Sequence, residues 1–216
     1  MNKLVIALLA IISIAAGAGA YIITQQQSSS SLNQQELDKL GLFLFPQGLP
    51  VADVSFIDEE SQTKAKNDLQ GKWSLLFFGY TFCPDICPTT LSVMQQMWSK
   101  MTPEQQTQFE VVLVSVDPAR DTPEQMKTYM DYFEPAFTSL TGSEASLKSL
   151  ATQLNAVYAK VPRYDENGNE DPELGYLMDH SANIAILNPQ GEYAGFIKPP
   201  FNSKKMLAIS ELLLAR

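Results

Sequence analysis

Both thiols of the chain fall inside one short segment, Phe82-Cys83-Pro84-Asp85-Ile86-Cys87-Pro88, and its single imidazole, His180, stands far downstream. Two cysteines with three residues between them can pair, exchange disulfides or grip a metal. A purely structural disulfide is a weak use of so small a loop, because closing it removes little entropy from the unfolded chain. Thiol redox chemistry and metal capture are equally open on spacing alone. His180, in Met178-Asp179-His180-Ser181, reads by itself as an ordinary polar residue on a loop before a strand. As a partner of the two sulfurs it would complete an S2N donor set. Thiolates favour soft Cu(I), and imidazole with a carboxylate or water can complete a Cu(II) site. A structural zinc site wants four protein ligands, and only three soft or borderline ones exist here. Asp179 is the candidate to orient the imidazole or fill a fourth position.

The flanking sequence says how such residues are positioned. Trp73–Tyr80 is an unbroken apolar run, the pattern of a strand covered on both faces. Pro88 suits the first position of a following helix, which puts Cys87 at its N-cap, facing unpaired amides and the positive dipole end that favour a thiolate. That helix is read over Thr89–Met101, with Leu91, Met94, Met97, Trp98 and Met101 at helical spacing, so its methionines are core rather than copper ligands. Further on, Val51–Ile57, Glu110–Val116, Ala156–Val161, Asn183–Leu187 and Tyr193–Ile197 read as strands. Thr122-Pro123-Glu124-Gln125 opens a helix to about Phe133, Ser143–Leu154 is another, and Asn202 caps a last one over Ser203–Ala215. The acidic and amide-rich stretch Arg163–Gly175 is an exposed loop or hairpin tip. Asp117 and Asp121 flank Arg120 in a loop after a strand, where an ion pair or cap is the default reading. Lys198-Pro199-Pro200-Phe201 is a proline-stiffened loop with no readable role. Strands alternating with helices, then a terminal hairpin and helix, predict an α/β fold with a thioredoxin-like central mixed sheet flanked by helices.

Of 216 residues, 24 are acidic and 15 basic, a formal charge of −9 that argues against nucleic acid as a partner. Residues 4–23 carry no charge and are rich in Ile, Leu and Ala. At roughly 1.5 Å per residue such a helix reaches about 30 Å, the thickness of a bilayer core. Residues 1–23 are therefore expected to be one transmembrane anchor, or a signal segment that is not cleaved. A polar Gln/Ser/Asn tether follows over 24–35, and the globular domain over 36–216. Lys3 favours a cytoplasmic N-terminus, which places the domain in the periplasm of a bacterial inner membrane.

Gly79-Tyr80-Thr81-Phe82-Cys83-Pro84-Asp85-Ile86-Cys87-Pro88, then Val116-Asp117-Pro118-Ala119-Arg120-Asp121-Thr122-Pro123, then Asp179-His180-Ser181 resemble the signatures of the Sco/SenC family of membrane-anchored copper proteins. The resemblance runs from about Val51 to Phe201. It implies a thioredoxin-like fold and one copper, as Cu(I) or Cu(II), held by Cys83, Cys87 and His180. It also implies delivery to the binuclear copper site of cytochrome c oxidase, with an upstream copper donor and the oxidase's copper-bearing subunit as partners. The alternative it carries is a thiol–disulfide reductase, with Cys83 and Cys87 as the catalytic pair, that reduces the cysteines of that site before metallation. Delivery makes the chain a metallochaperone rather than an enzyme.

Overall fold

A computed structural model describes residues 35–171, 173 and 175–216. The expected anchor over 1–23 and all but the last residue of the expected tether lie outside the described residues. Among the described residues no helix is long and apolar enough to cross a membrane. The chain divides into two units at Leu40/Gly41. In the first, residues 35–40 are helical (α1). Everything that follows belongs to the second.

That unit is built on an eight-stranded mixed sheet made of β1 (Leu42–Leu49), β2 (Ser55–Asp58), β3 (Thr63–Ala65), β4 (Trp73–Gly79), β5 (Phe109–Ser115), β6 (Thr138–Thr141), β9 (Ile184–Leu187) and β10 (Tyr193–Ile197), in the spatial order β1-β10-β9-β4-β5-β6-β2-β3. Strands β7 (Tyr158–Pro162) and β8 (Tyr176–His180) form a separate two-stranded sheet. The central β4 and β5 are parallel, pairing Trp73 with Phe109 through to Gly79 with Ser115. Their near-continuous burial is what two covered faces demand.

Alternation along the strands divides the side chains between those faces. Leu76, Phe78, Val112, Val114 and Val116 join one core cluster with Leu147, Leu150, Ala151 and Leu154, so α5 (Glu144–Gln153) covers that side. α2 (Ile86–Trp98) packs with α6 (Ser203–Leu214) and α4 (Pro123–Phe133), with the short α3 (Pro103–Gln106) leading into β5. Met94, Met97 and Met101 are buried, as their spacing requires of core residues. The polar N-caps read from the sequence are in place: Thr122, Ser143 and Asn202 accept from the amides of Gln125, Ser146 and Lys205.

Two local expectations are corrected, and two strands appear that the sequence pattern does not mark. β1 was not foreseen as a strand: Pro46 and Gly48 interrupt its pattern, and both are tolerated because β1 is an edge strand paired only to β10. The expected strand at Val51–Ile57 begins only at Ser55. β6, Thr-Ser-Leu-Thr, is a buried parallel strand beside β5 despite its polar composition, its register aligning Leu140 with Val114. His180 is not on a loop but is the last residue of β8.

Candidate metal centre

Because β4 and β5 run parallel, the segments leaving their C-terminal ends emerge side by side, where open α/β sheets place their ligands. The amide of Val116, just past β5, donates to the carbonyl of Gly79 at 2.9 Å. After Gly79 the chain turns tightly, Cys83 N–H donating to the Tyr80 carbonyl, and enters α2. The N-cap is Asp85, not Cys87. Cys87 is the second helical residue and Pro88 the third, a position where a missing N–H is harmless because the first four amides of a helix have no intrahelical acceptor. The helix thus starts two residues earlier than Pro88 suggested. Cys87 still lies in its first turn, with its sulfur against the strand end. A Cβ on Gly79 would stand 2.7 Å from Cys87 Sγ, so only glycine leaves room there.

The hairpin β7–β8 supplies the third donor. Tyr158 pairs with His180, and Ser181 closes the hairpin end: its amide donates to the Val157 carbonyl and its hydroxyl accepts from the Val157 amide. His180 Nδ1–H donates to the Ser181 carbonyl at 3.2 Å, which leaves Nε2 as the free lone pair. Nε2 lies 3.5 Å from Cys87 Sγ, and the Tyr80 ring meets the imidazole edge-on at 6.0 Å between centroids. Cys83 Sγ, Cys87 Sγ and a ring nitrogen of His180 all lie within 4.8 Å of one another. A single ion with bonds of roughly 2.0–2.3 Å spans a comparable distance. Both cysteines are free thiols. The donor set therefore fits a soft or borderline metal. Asp179 is not part of the cluster. It is exposed on β8, and the Ser181 carbonyl performs the orienting once assigned to it.

The two sulfurs are electrostatically unlike. A hydrogen bond from Cys87, offset in part by burial and reinforced by His180 and by the Asp85 and Cys87 amides, lowers the Cys83 pKa to about 4. The same shared hydrogen bond, with burial and the neighbouring Cys83 charge, pushes the Cys87 thiol far above its ordinary value. The shared hydrogen bond thus favours the negative charge on Cys83 over Cys87. Burial works against an imidazolium at His180, but Cys83, the Ser181 carbonyl and Asp179 together raise its pKa.

Sequence reasoning left the Asp117–Asp121 loop as an ordinary ion pair, and the pair exists, Arg120 Nε to Asp117 Oδ2. Its reach was missed. Asp121 accepts from the Thr81 amide and hydroxyl, and from Ser115, so it holds the cysteine loop; burial raises its own pKa. Asp117 accepts from the Tyr176 hydroxyl at 2.8 Å, while Arg120 donates to the Tyr176 carbonyl and lies 3.7 Å above its ring. One loop thereby fastens the cysteine segment on one side and the start of the histidine strand on the other. The Asp-Pro-Ala-Arg-Asp signature could have pointed there; nothing marked Tyr176 as its partner.

A thioredoxin-like sheet carrying a two-sulfur, one-nitrogen cluster at its strand ends defines a class of metal-binding protein. The SCO1/SenC family model matches residues 50–215, and the chain belongs to that family. A Stutzerimonas stutzeri protein named for copper binding is 37% identical over 164 residues, 76% of each chain. The copper-bound crystal structure of Arabidopsis thaliana ScoI matches with a TM-score of 0.67 at 28% identity, over 77% of this chain and 99% of that one. The solution structure of apo Sco1 from Thermus thermophilus matches with a TM-score of 0.67 at 30% identity, over 80% and 95% of the respective chains.

Proposed function

We propose that the chain is a copper metallochaperone that takes one copper ion as cargo on Cys83, Cys87 and His180 and delivers it to the binuclear copper site of cytochrome c oxidase. The observation that carries this reading is the convergence of three donor atoms, from a loop, a helix start and a separate hairpin, within 4.8 Å. Soft sulfurs with one imidazole suit both copper oxidation states. The Cys83 thiolate offers a ligand that needs no deprotonation at neutral pH, and His180 presents Nε2 because Nδ1 is engaged. Copper in the related ScoI supports the choice of metal, and family membership supports the oxidase as recipient. The decisive test is copper titration of the reduced full chain. One equivalent and a Cu(II)–thiolate absorption, lost in His180→Ala, are expected; an unchanged spectrum removes His180 from the site.

The unequal thiols favour a second reading, reduction of a partner's disulfide. The Cys83 thiolate attacks one partner sulfur and forms a mixed disulfide, displacing the other partner sulfur as a thiolate that takes up a proton. Cys87, giving up its proton, then attacks Cys83 Sγ, so the partner leaves as a dithiol and Cys83–Cys87 becomes the disulfide. Reductase turnover undiminished in His180→Ala, without copper transfer, selects this reading.

We also infer a periplasmic domain held to an inner membrane by residues 1–23, a reading supported by the uncharged apolar run over 4–23 and by Lys3 before it. Membrane fractionation of the full chain, with protease added to intact spheroplasts, tests this: degradation from outside is expected, and protection overturns it.

A further inference from the structure

Among the described residues ten large apolar side chains stand exposed, and three of them gather in one cleft at the metal cluster. Ile86 (38% exposed), between the two cysteines, and the cross-strand neighbours Val161 (39%) and Leu177 (40%) line the same cleft of about 430 Å³ as Cys83 and His180. Phe82, half exposed, is the chain neighbour of Cys83. Isolated exposed apolar residues need no explanation, but a cluster around a reactive group marks an interaction site. Apart from the donor set itself, the cleft's charged lining is acidic. Asp85 and Asp179 are its carboxylates, and no lysine or arginine lines it among the described residues. The hairpin tip beyond Val161 and Leu177 adds Asp165, Glu166, Glu170, Asp171 and Glu173 against Arg163.

We propose that this cleft is the docking surface for the copper acceptor, and that it selects a segment of a partner protein carrying its cysteines beside an apolar side chain and basic residues. This rests on the copper-delivery reading and specifies its partner. The apolar side chain enters between Ile86, Val161 and Leu177, removing water from the exchanging sulfurs. The basic residues meet Asp85, Asp179 and the acidic tip, which orients the encounter and speeds it. In the exchange an acceptor thiol gives up its proton and bonds to Cu(I) as a donor–copper bond breaks. The metal keeps its oxidation state, and the released donor takes up the proton.

The test is stopped-flow Cu(I) transfer from the full chain to three reduced peptides with the same two cysteines. The first is flanked by Leu and two Arg, the second by Leu and two Glu, and the third by Ser and two Arg. The first peptide is expected to accept copper about tenfold faster than either other, with the charge preference shrinking as salt is raised. Val161→Ser/Leu177→Ser is expected to load one copper normally and to lose the preference for Leu over Ser. Equal rates for all three peptides, or a Leu preference surviving in the double variant, would overturn the proposal. A chain that loads no copper fails the delivery reading instead. Should the double variant load poorly, Val161→Thr and Leu177→Thr singly give the same comparison.

Discussion

At the scale of single residues, the site works through an asymmetry that burial alone would not give two neighbouring thiols. The folded Cys83 pKa, about 4, lies below its ordinary 9.0, so between those values the unfolded chain binds more protons at this group than the folded one. Stability from the Cys83 charge is therefore fully present above pH 9 and lost as pH falls towards 4. Cys87 is shifted the other way, so its contribution turns unfavourable above about pH 9. The reduced protein should gain denaturation midpoint relative to Cys83→Ser as pH rises from 4 to 9. A pH-independent difference would show that the charge is not held. His180→Ala should weaken copper binding at least about tenfold in competition with a chromophoric chelator, since changes to outer-shell groups alone cost that much. Gly79→Ala forces a methyl group against the Cys87 sulfur. An overpacking cost of about 1–3 kcal/mol is expected, together with a displaced Cu(II)–thiolate band. An unaltered band would mean the sulfur has room to move.

At the scale of elements, the parallel strands and helix faces were legible because their apolar periodicity is strong: β4, β5, α4, α5 and α6 stand within a residue or two of where Trp73, Glu110, Thr122, Ser143 and Asn202 put them. Elements whose stability comes from neighbours were not. β1 carries a proline and a glycine yet is held by β10, and β6 is polar yet paired with β5. The start of α2 was misread because Pro88 is acceptable anywhere in a first turn, so it does not mark one position. The three donors were legible from scarcity and family resemblance, but their geometry was not, since nothing local tells a hairpin to fold over a distant cysteine loop. The Asp117–Arg120–Tyr176 clamp does that. Arg120→Gln leaves the carboxylate of Asp117, only 3% exposed, without its cation. A loss of about 3 kcal/mol in chemical denaturation is expected, with a heterogeneous copper spectrum as the hairpin loosens. Retention of both wild-type values would remove the clamp from the account.

At the scale of the whole molecule, the core and the site are separable. Leu76 is fully buried in the sheet, on the α5 side and away from the three donors. Leu76→Ala should cost about 2–5 kcal/mol in denaturation while copper stoichiometry stays at one. Loss of copper binding at temperatures where the variant remains folded would show that the site depends on more than its clamps. The positions of the donors along the chain also set an order of events during synthesis. Cys87 precedes His180 by 93 residues. A growing polypeptide therefore displays a bare dithiol long before its nitrogen exists, exposed to any oxidant or stray ion it meets. The finished cluster has to be assembled after the last strands arrive, on sulfurs that something else has kept reduced and empty.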